Sequence, residues 1–314
     1  MKGPADLALT RRQFVVGGAL ALGGLATAGF VAQRALPLRS YWYRLTGQCG
    51  PEGPVPADLA RPTYGTFRSE VLGADVEYGF WAPAVAGLPV RVRLPVCYCL
   101  PARGQDPRWV LDAPIYLADW AARGGPSGGV LLPALVAVDG SDTYWHARAS
   151  GEDRMKMLLD EFIPWFERRH DVGGSRELRA VMGWSMGGYG ALLAAERRPD
   201  LFGAVVAASP ALWRSFDDGV GDAFDDARDF AENDVFAGID DLRDTAVRVD
   251  CGKADIFYDA ARDFAARCAE QTGRPVAGDF SKGCHDPDYW RRVAADELDF
   301  IQSALGRAAH AAVE

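Results

Sequence analysis

The 314-residue sequence contains only four histidines, and its six cysteines form no C-x-x-C pair. A metal site built from clustered histidine and cysteine ligands is therefore not expected. The glycine-rich run from Gly183 to Gly190 lacks the Lys-Ser/Thr ending of a phosphate-binding loop. The sequence also lacks an excess of basic residues, since its formal net charge is −9. A nucleic-acid partner is not expected, because phosphate binding requires a basic face. We therefore expect no metal, no cofactor and no nucleic-acid partner.

Long hydrophobic runs are scarce, and only the N-terminal region contains one that is long enough to span a bilayer. There the pair Arg11-Arg12 is followed by glycine-rich sequence without a charged residue until Arg34. This pattern is typical of a bacterial twin-arginine signal. We predict that residues 1–34 are such a signal, either cleaved near Ala26-Thr27-Ala28 or retained as a membrane anchor. The protein is then exported: secreted, periplasmic or associated with the cell envelope.

From about residue 75 the sequence alternates between strand-like and helix-like segments, and it contains no internal repeats. This alternation predicts an α/β fold with a mostly parallel central sheet and helices on both faces, over residues 75–308. Residues 35–74 contain several Pro and Gly and form a lead-in segment. The Asp-rich segment 211–244 is either a helical cap or a solvated surface excursion. Apolar runs and helical spacing predict strands at 90–94, 96–100, 129–138, 178–183, 201–208 and 245–249, and helices at 154–170, 186–197 and 258–270.

Two segments fit the pattern G-x-S-x-G, and their surroundings separate them. Gly183-Trp184-Ser185-Met186-Gly187 follows a predicted strand and precedes a predicted helix. A nucleophile elbow needs this strand–turn–helix order and flanking glycines, because the sharp turn leaves no room for a Cβ beside the serine. Ser127 lies in Gly125–Gly129 between a helix and a strand, the reverse order, and we interpret it as a loop residue. Ser185 is therefore the candidate nucleophile.

A serine hydroxyl needs a neighbouring base, and the small number of histidines leaves few candidates. In α/β-hydrolases the triad runs Ser, acid, His along the chain, and only His285 and His310 follow Ser185. His285 lies in a polar loop before a predicted helix, whereas His310 lies in the C-terminal tail, so His285 is the better base. Asp250 and Asp255 both follow the last predicted strand. Asp255 lies farther into the loop and is favoured as the acid, while Asp250 is expected to bond backbone amides at the strand end.

Several further segments follow the same order as those of a known family. They are Asp139-Gly140, Asp160–Pro164, Gly183–Leu192, Ser209–Trp213, Gly252–Phe257, and Gly-x-His at 283–285 with Tyr289-Trp290. Together they resemble the esterase D family, which includes S-formylglutathione hydrolases and the mycobacterial mycolyltransferases. The resemblance covers roughly residues 75–305 and implies a single-domain α/β-hydrolase fold. It also implies the triad Ser185, Asp255 and His285, in agreement with the argument from chain order.

The oxyanion hole is where the sequence departs from that family. One donor should be the backbone N–H of Met186, the residue after the nucleophile. The other normally comes from the loop after an early strand, where the family often has His-Gly-x, but here Pro101 replaces the usual His. We predict the backbone N–H of Arg103 as the second donor, with Ala102 as the alternative. His146 follows Tyr144-Trp145 in a predicted loop and could contact the substrate.

The leading hypothesis is an exported serine esterase that hydrolyses a small-molecule or lipid ester through an acyl-enzyme on Ser185. An alternative is a mycolyltransferase-like acyltransferase, in which a sugar or glycerolipid hydroxyl replaces water. The resemblance implies Glu as the triad acid of those enzymes, whereas this chain offers Asp255, which favours hydrolysis. A second alternative is a catalytically silent envelope-binding protein. Only Pro101 supports it, and the complete triad argues against it.

An exported protein can form disulfides, and the cysteines suggest one pair. Cys97 and Cys99 lie two residues apart on a predicted strand and face the same side, so no bridge between them is expected. Cys251 and Cys284 each lie beside one of the proposed catalytic loops. We favour a bridge between these two, and free buried cysteines are the alternative.

Overall fold

The computed structural model describes residues 42–57, 60–83, 93–123 and 132–311. The predicted signal segment, Ser127 and most of the predicted strand at 90–94 lie outside these ranges. The chain divides into two compact units, Met1–Gln48 and Cys49–Glu314. In the described part of the first unit, residues 42–45 form one helical turn, and the second unit contains the sheet. Within the described ranges, no helix combines the length and the hydrophobicity needed to cross a membrane.

Seven strands of the second unit form one sheet in the order β1-β2-β4-β3-β5-β6-β7. The pairs β1–β2 and β2–β4 are antiparallel, and the other four pairs are parallel. The sheet is therefore mostly parallel, as the sequence predicts. The strands are β1 Thr63–Ser69, β2 Ala74–Trp81, β3 Val96–Leu100, β4 Ala134–Val138, β5 Arg179–Trp184, β6 Ala204–Ala208 and β7 Ala246–Asp250.

Helices cover both faces of this sheet, in agreement with the α/β-hydrolase fold. They are α1 Pro107–Leu111, α2 Leu117–Arg123, α3 (Arg154–Lys156, a π-helical part Met157–Phe162 and Ile163–Glu167), α4 Met186–Arg197, α5 Ala227–Glu232, α6 Tyr258–Thr272 and α7 Pro287–Ala311. Along β3, Tyr98 and Leu100 face the core beneath α3, α4 and α6. Cys97 and Cys99 face the opposite core beneath α1, α2 and α7. Both are free thiols, as predicted from their shared face.

The strands and helices at the centre of the sheet match their predicted positions more closely than the strand at its β1 edge does. β3 and α4 have the predicted bounds, whereas the strand predicted at 129–138 is observed only over Ala134–Val138. The sheet also begins earlier than residue 75, because β1 lies in the segment that we interpreted as a lead-in. Only Phe67 and Ser69 are buried in this edge strand, so its apolar pattern is weak.

Neither of the two descriptions, a helical cap or a solvated excursion, fits the whole of the segment 211–244. Besides α5 it contains two short 3-10 turns, Phe216–Asp218 and Ile239–Leu242. Its apolar residues join the core beneath α4, while most of its acidic residues are exposed. The segment is therefore anchored by its apolar side chains. The buried members are Ala211, Leu212, Val220, Ala223, Phe224, Phe230, Val235, Ile239 and Leu242.

Candidate active site

Ser185 occupies the sharp turn between β5 and α4, with φ 53° and ψ −115°. A non-glycine residue in such a conformation stores about 1–3 kcal/mol of strain. The flanking glycines allow the turn to form. A Cβ on Gly183 would lie 2.2 Å from the carbonyl oxygen of Gly187, and a Cβ on Gly187 would lie 1.9 Å from that of Leu100. The chain direction therefore reverses without displacing the neighbouring strand, and Ser185 is presented at the carboxyl edge of the sheet.

The three predicted triad side chains are in hydrogen-bond contact. His285 Nε2 lies 2.9 Å from Ser185 Oγ, and His285 Nδ1 lies 2.9 Å from Asp255 Oδ2. Because an ionised carboxylate can only accept, Nδ1 donates to Asp255, which leaves Nε2 to accept from the serine hydroxyl. The Asp255 side chain is fully buried, and its other oxygen accepts a 2.9 Å hydrogen bond from the N–H of Phe257. This arrangement can deprotonate Ser185 and stabilise the resulting imidazolium.

The surroundings of His285 make its imidazole a stronger base. Burial lowers the pKa of His285, but the charge of Asp255 and its hydrogen bond raise it. The charge of Asp286 acts in the same direction, and the net result is a pKa above the ordinary histidine value. A base of this kind takes the serine proton more readily, provided that it is neutral at the working pH.

The segment that precedes His285 runs alongside the acid loop. The N–H groups of Cys251 and Lys253 donate to the carbonyl oxygens of Asp279 and Ser281 at 2.9 and 2.8 Å. Farther back, this segment pairs with β7 in parallel orientation. Two chains that run side by side in one direction end at the same edge of the sheet. Asp255 and His285 therefore lie next to each other at this edge.

Asp250 has the structural role expected of it. Its carboxylate is buried, accepts a 2.6 Å hydrogen bond from the N–H of Asp279 and receives two more from the Arg248 guanidinium. The carboxyl group of Glu297 lies next to it and is also fully buried. Burial raises the pKa of Glu297 well above its usual range, and the charge of Asp250 raises it further. Arg248 pairs with Asp250, while burial and the charge of Asp250 both favour the protonated form of Glu297.

Aromatic side chains form one wall beside the triad. The rings of Phe257 and Trp290 lie 5.4 and 5.2 Å from the His285 ring. Trp213 continues the wall 5.4 Å from Phe257, and Tyr144 follows 5.8 Å from Trp213. Sequence reasoning gave these residues no role, although three of them belong to segments that carry the family resemblance. Phe257 and Trp213 are half-buried, so these two members of the wall can pack against the apolar part of a substrate.

The predicted oxyanion donors lie at two adjacent strand ends. Leu100 pairs with Gly183, so the loop after β3 begins beside the nucleophile turn. Within the described residues, neither the N–H of Met186 nor that of Arg103 donates a hydrogen bond to the protein. Neither group therefore has an acceptor among these residues that would compete with a substrate oxygen. The Arg103 side chain points elsewhere, donating to Asp222 at 2.8 Å. The assignment of these two donors stays a prediction.

His146 is not a substrate-contacting residue, and that interpretation is wrong. The side chain is completely buried, with Nε2 3.0 Å from the carbonyl oxygen of Ala223 and Nδ1 3.2 Å from Asp229 Oδ1. Its ring stacks on Phe224 at a centroid distance of 5.1 Å. These partners all belong to the segment 211–244. His146 therefore stabilises the packing of that segment against the loop after β4.

The favoured disulfide between Cys251 and Cys284 is also wrong. Cys284 is bonded to Cys49 across a sequence separation of 235 residues, and Cys251 is buried and free. Cys49 reaches this position because the following chain lies on α7, where the N–H of Gly53 donates to Asp288 Oδ1 at 3.1 Å. Sequence spacing contains no signal for this contact, since it depends on where the lead-in segment folds.

One cluster of possible metal-ligand atoms occurs within the described residues, formed by Cys49, Cys284 and Asp286. Two of its three members are joined in the disulfide. Disulfide sulfurs are not the thiolates that bind metal ions, so this cluster lacks a suitable set of donors.

Comparisons with known proteins agree with this geometry. The family model described as "Putative esterase" matches residues 87–293, more than half of the chain. A ferulic acid esterase has a similar structure, with 25% sequence identity, a TM-score of 0.68 and coverage of 78% of this chain and 99% of that chain. No curated protein sequence matches the chain.

Two less similar structures share the fold. An S-formylglutathione hydrolase from Agrobacterium tumefaciens is 16% identical, with a TM-score of 0.64 and coverage of 82% of this chain and 99% of that chain. MPT51 (FbpC1) from Mycobacterium tuberculosis is 18% identical, with a TM-score of 0.61 and coverage of 77% and 99%. The matched family model, this fold and the hydrogen-bonded Ser–His–Asp group lead to one conclusion. The chain belongs to the esterase family of α/β-hydrolases and is a serine ester hydrolase, in agreement with the resemblance to esterase D.

Proposed function

We propose that the protein is an exported esterase that hydrolyses carboxylic esters through an acyl-enzyme on Ser185. The observation that carries this proposal is the pair of 2.9 Å contacts that link Asp255, His285 and Ser185. Ser185 is partly exposed, whereas Asp255 is buried, so substrate can reach the nucleophile while the acid is shielded from water. A shielded carboxylate orients the imidazole more strongly, because it does not exchange its partner for solvent.

In the proposed reaction, His285 Nε2 takes the proton of Ser185 as Oγ attacks the ester carbonyl. The N–H groups of Met186 and Arg103 stabilise the oxyanion of the tetrahedral intermediate. The C–O bond to the alcohol then breaks, and the imidazolium gives its proton to the leaving oxygen. A water molecule repeats the sequence on the acyl-enzyme, with His285 again as base, and releases the acid. Asp255 accepts the hydrogen bond from His285 Nδ1 in each step and keeps the imidazole in its orientation.

The aromatic wall gives the expected substrate an apolar acyl group. Phe257 lies next to His285 and Trp213 lies next to Phe257, so both rings can pack along the acyl part of an ester. A polar rim begins at the Tyr144 end of the wall, where Arg103 lies 5.9 Å from the Tyr144 ring and donates to Asp222, and where Asp142 Oδ1 lies 3.9 Å from Arg103 Nε. With two carboxylates and one guanidinium, this rim does not favour an anionic leaving group. We therefore expect a neutral alcohol in the substrate.

A chain-length series of p-nitrophenyl esters tests this proposal, with and without trehalose or a glycerolipid as acceptor. We expect p-nitrophenol release to be matched by free acid, and Ser185→Ala to lose activity by about 10⁶-fold. Full activity in Ser185→Ala would overturn the assignment of the nucleophile. Acylated trehalose or glycerolipid in excess of free acid would instead identify an acyltransferase. Failure of a fluorophosphonate probe to label the wild-type protein would support a silent binding protein.

Export is the second part of the proposal. It is supported by the Arg11-Arg12 pattern and by the Cys49–Cys284 disulfide, since disulfides persist mainly in oxidising compartments. Changing both arginines to lysine should retain the protein in the cytoplasm of its host, as followed by cell fractionation. The intact mass of the exported wild-type protein distinguishes a cleaved signal from a retained anchor. Equal export of the double-lysine variant would contradict the twin-arginine assignment.

A further inference from the structure

The disulfide between Cys49 and Cys284 has no part in the reaction described above, yet it ends immediately before His285. Both cysteines are buried, with 5% and 1% of their surface exposed. On the other side of His285, the side chain of Asp286 accepts a 3.1 Å hydrogen bond from the N–H of Tyr289 at the start of α7. The catalytic histidine therefore lies between a covalent crosslink and a helix N-terminus.

Besides the bonds from Cys251 and Lys253, two hydrogen bonds hold the part of the histidine loop next to the crosslink. The carbonyl oxygen of Gly283 accepts from the N–H of Ala254 at 2.8 Å, and that of Lys282 accepts from Arg292 Nη2 at 2.9 Å. Three of the loop residues, Phe280 to Lys282, are partly or fully exposed, so packing contributes little there. The crosslink adds a covalent restraint at the residue directly before His285.

Hydrogen bonds hold Cys49 against α7, so the disulfide links the histidine loop to this helix. Arg292 Nη2 donates to the carbonyl oxygen of Cys49 at 3.0 Å, and Arg292 Nη1 donates to that of Pro51. Gly53 lies so close to α7 that a Cβ there would be 2.2 Å from the carbonyl oxygen of Asp288. The same arginine thus contacts Cys49 and, two residues before Cys284, the carbonyl oxygen of Lys282.

We propose that the Cys49–Cys284 disulfide positions His285 for catalysis and makes the esterase activity depend on oxidation of this pair. The inference rests on the proposed function. A dithiol reductant would break the S–S bond, and each sulfur would receive one electron and one proton. The two sulfurs of the reductant would then form their own disulfide. The protein would have low activity in a reducing compartment and full activity after export to an oxidising one.

The expected effect is on turnover and not on substrate binding. Asp255 stays fixed by the acid loop, while a loosened His285 would sample positions away from Asp255 and Ser185. Misplacement of a catalytic group by about 1 Å can reduce the rate by up to about 100-fold. We therefore expect kcat to fall roughly 10- to 100-fold when the disulfide is opened, with little change in KM. The aromatic wall beside the triad does not include either cysteine.

The test uses Cys49→Ser, with Cys268→Ser as the matched control, because Cys268 is a buried free cysteine in α6. kcat and KM on a short p-nitrophenyl ester are measured well below the unfolding temperature of each variant. Wild-type enzyme is assayed in parallel after reduction by dithiothreitol and after reoxidation, and alkylation of the new thiols reports the extent of reduction. The expected pattern is a lowered kcat in Cys49→Ser and in reduced wild type, recovery on reoxidation, and no loss in Cys268→Ser.

A second measurement needs no substrate. The titration of His285 is followed by NMR in oxidised and reduced protein, and weaker contact with Asp255 should lower its pKa in the reduced form. Unchanged kcat and an unchanged His285 titration in folded, reduced enzyme would overturn the proposal. A fall in kcat that only matches the fraction of unfolded protein would also overturn the proposal. Should Cys49→Ser not fold, the reduced wild type decides. If the oxidised wild type has no Ser185-dependent activity, the proposed function is wrong. The NMR titration then still shows whether the disulfide positions His285 against Asp255.

Discussion

The carbonyl oxygen of Gly283 accepts a 2.8 Å hydrogen bond from the N–H of Ala254, which joins the loops that carry His285 and Asp255. This contact brings the two backbones together at the point where both catalytic side chains emerge. A Cβ on Gly252 would lie 2.3 Å from the carbonyl carbon of Gly283, closer than real Cβ atoms approach. The absence of a side chain at Gly252 is therefore a condition for the triad geometry.

Gly252→Ala should displace one of the two loops and separate Asp255 from His285. We expect kcat to fall by about 100-fold, because the reacting groups lose their alignment. Steady-state kinetics on a short p-nitrophenyl ester measures this effect. Gly73→Ala is the control, since no atom lies within 4 Å of its Cβ position. That variant should lose about 1 kcal/mol of stability through its positive φ and keep its kcat. Equal kcat in both variants would show that the loop contact is not needed.

The pH dependence of the reaction should report the contact between His285 and Asp255. Since the charge of Asp255 raises the pKa of His285, the wild-type kcat/KM should rise with pH through a value above that of a free histidine. Asp255→Asn removes the charge, so this acid limb should move to lower pH. The same change should reduce kcat by about 10⁴-fold, because the imidazole loses its preferred tautomer. An acid limb that stays in place would assign the charge effect to another group.

The predicted oxyanion donor can be tested by deleting a single N–H group. Arg103→Pro removes the backbone donor together with the side chain, whereas Arg103→Ala removes only the side chain. We expect Arg103→Pro to lower kcat about 100- to 1,000-fold relative to Arg103→Ala, as loss of one donor does in other hydrolases. Ala102→Pro makes the same change at the alternative position. A larger loss in Ala102→Pro than in Arg103→Pro would move the donor to Ala102.

The buried carboxyl group of Glu297 should give the fold a characteristic pH dependence. Its pKa is raised in the folded protein, whereas the unfolded value is about 4.3. Below that value the group is protonated in both states. Above it unfolding releases a proton, so its contribution to stability is lost as pH rises towards the folded pKa. The stability of Glu297→Gln relative to wild type should therefore increase with pH, by up to about 1.4 kcal/mol per unit.

Denaturant unfolding of both proteins at a series of pH values from about 4.3 upward, the unfolded pKa of a glutamate, measures this difference. Asp240→Asn is a suitable control, because Asp240 is exposed and its change should give no such trend. A difference between Glu297→Gln and wild type that does not vary with pH would mean that Glu297 is ionised in the fold.

The sequence predicts the centre of this molecule well, for physical reasons that particular residues illustrate. β3 and α4 have the predicted bounds because each lies in the interior, where an uninterrupted apolar run is required. Ser185 and His285 are found from chain order, since an elbow needs a strand before it and a helix after it. Asp255 required the family resemblance as well, because two aspartates follow the same strand.

Features set by contacts between distant segments could not be predicted in this way. Cys49 pairs with Cys284 because the lead-in segment folds onto α7, and nothing near Cys49 in the sequence indicates that contact. β1 is an edge strand with only two buried residues, so it lacks a clear alternating pattern. His146 follows two aromatic residues in a loop, but its burial depends on Ala223 and Phe224, almost 80 positions away.

The most direct test of the account is identification of the acylated residue. Wild-type enzyme is mixed with a p-nitrophenyl ester of a slowly hydrolysed acid, quenched in acid during turnover, digested and analysed by mass spectrometry, with Ser185→Ala treated in parallel. The account predicts one acyl group per wild-type chain, on the peptide that contains Ser185, and none on the variant. Continued turnover with no acyl-enzyme, or with the acyl group on another residue, would contradict it.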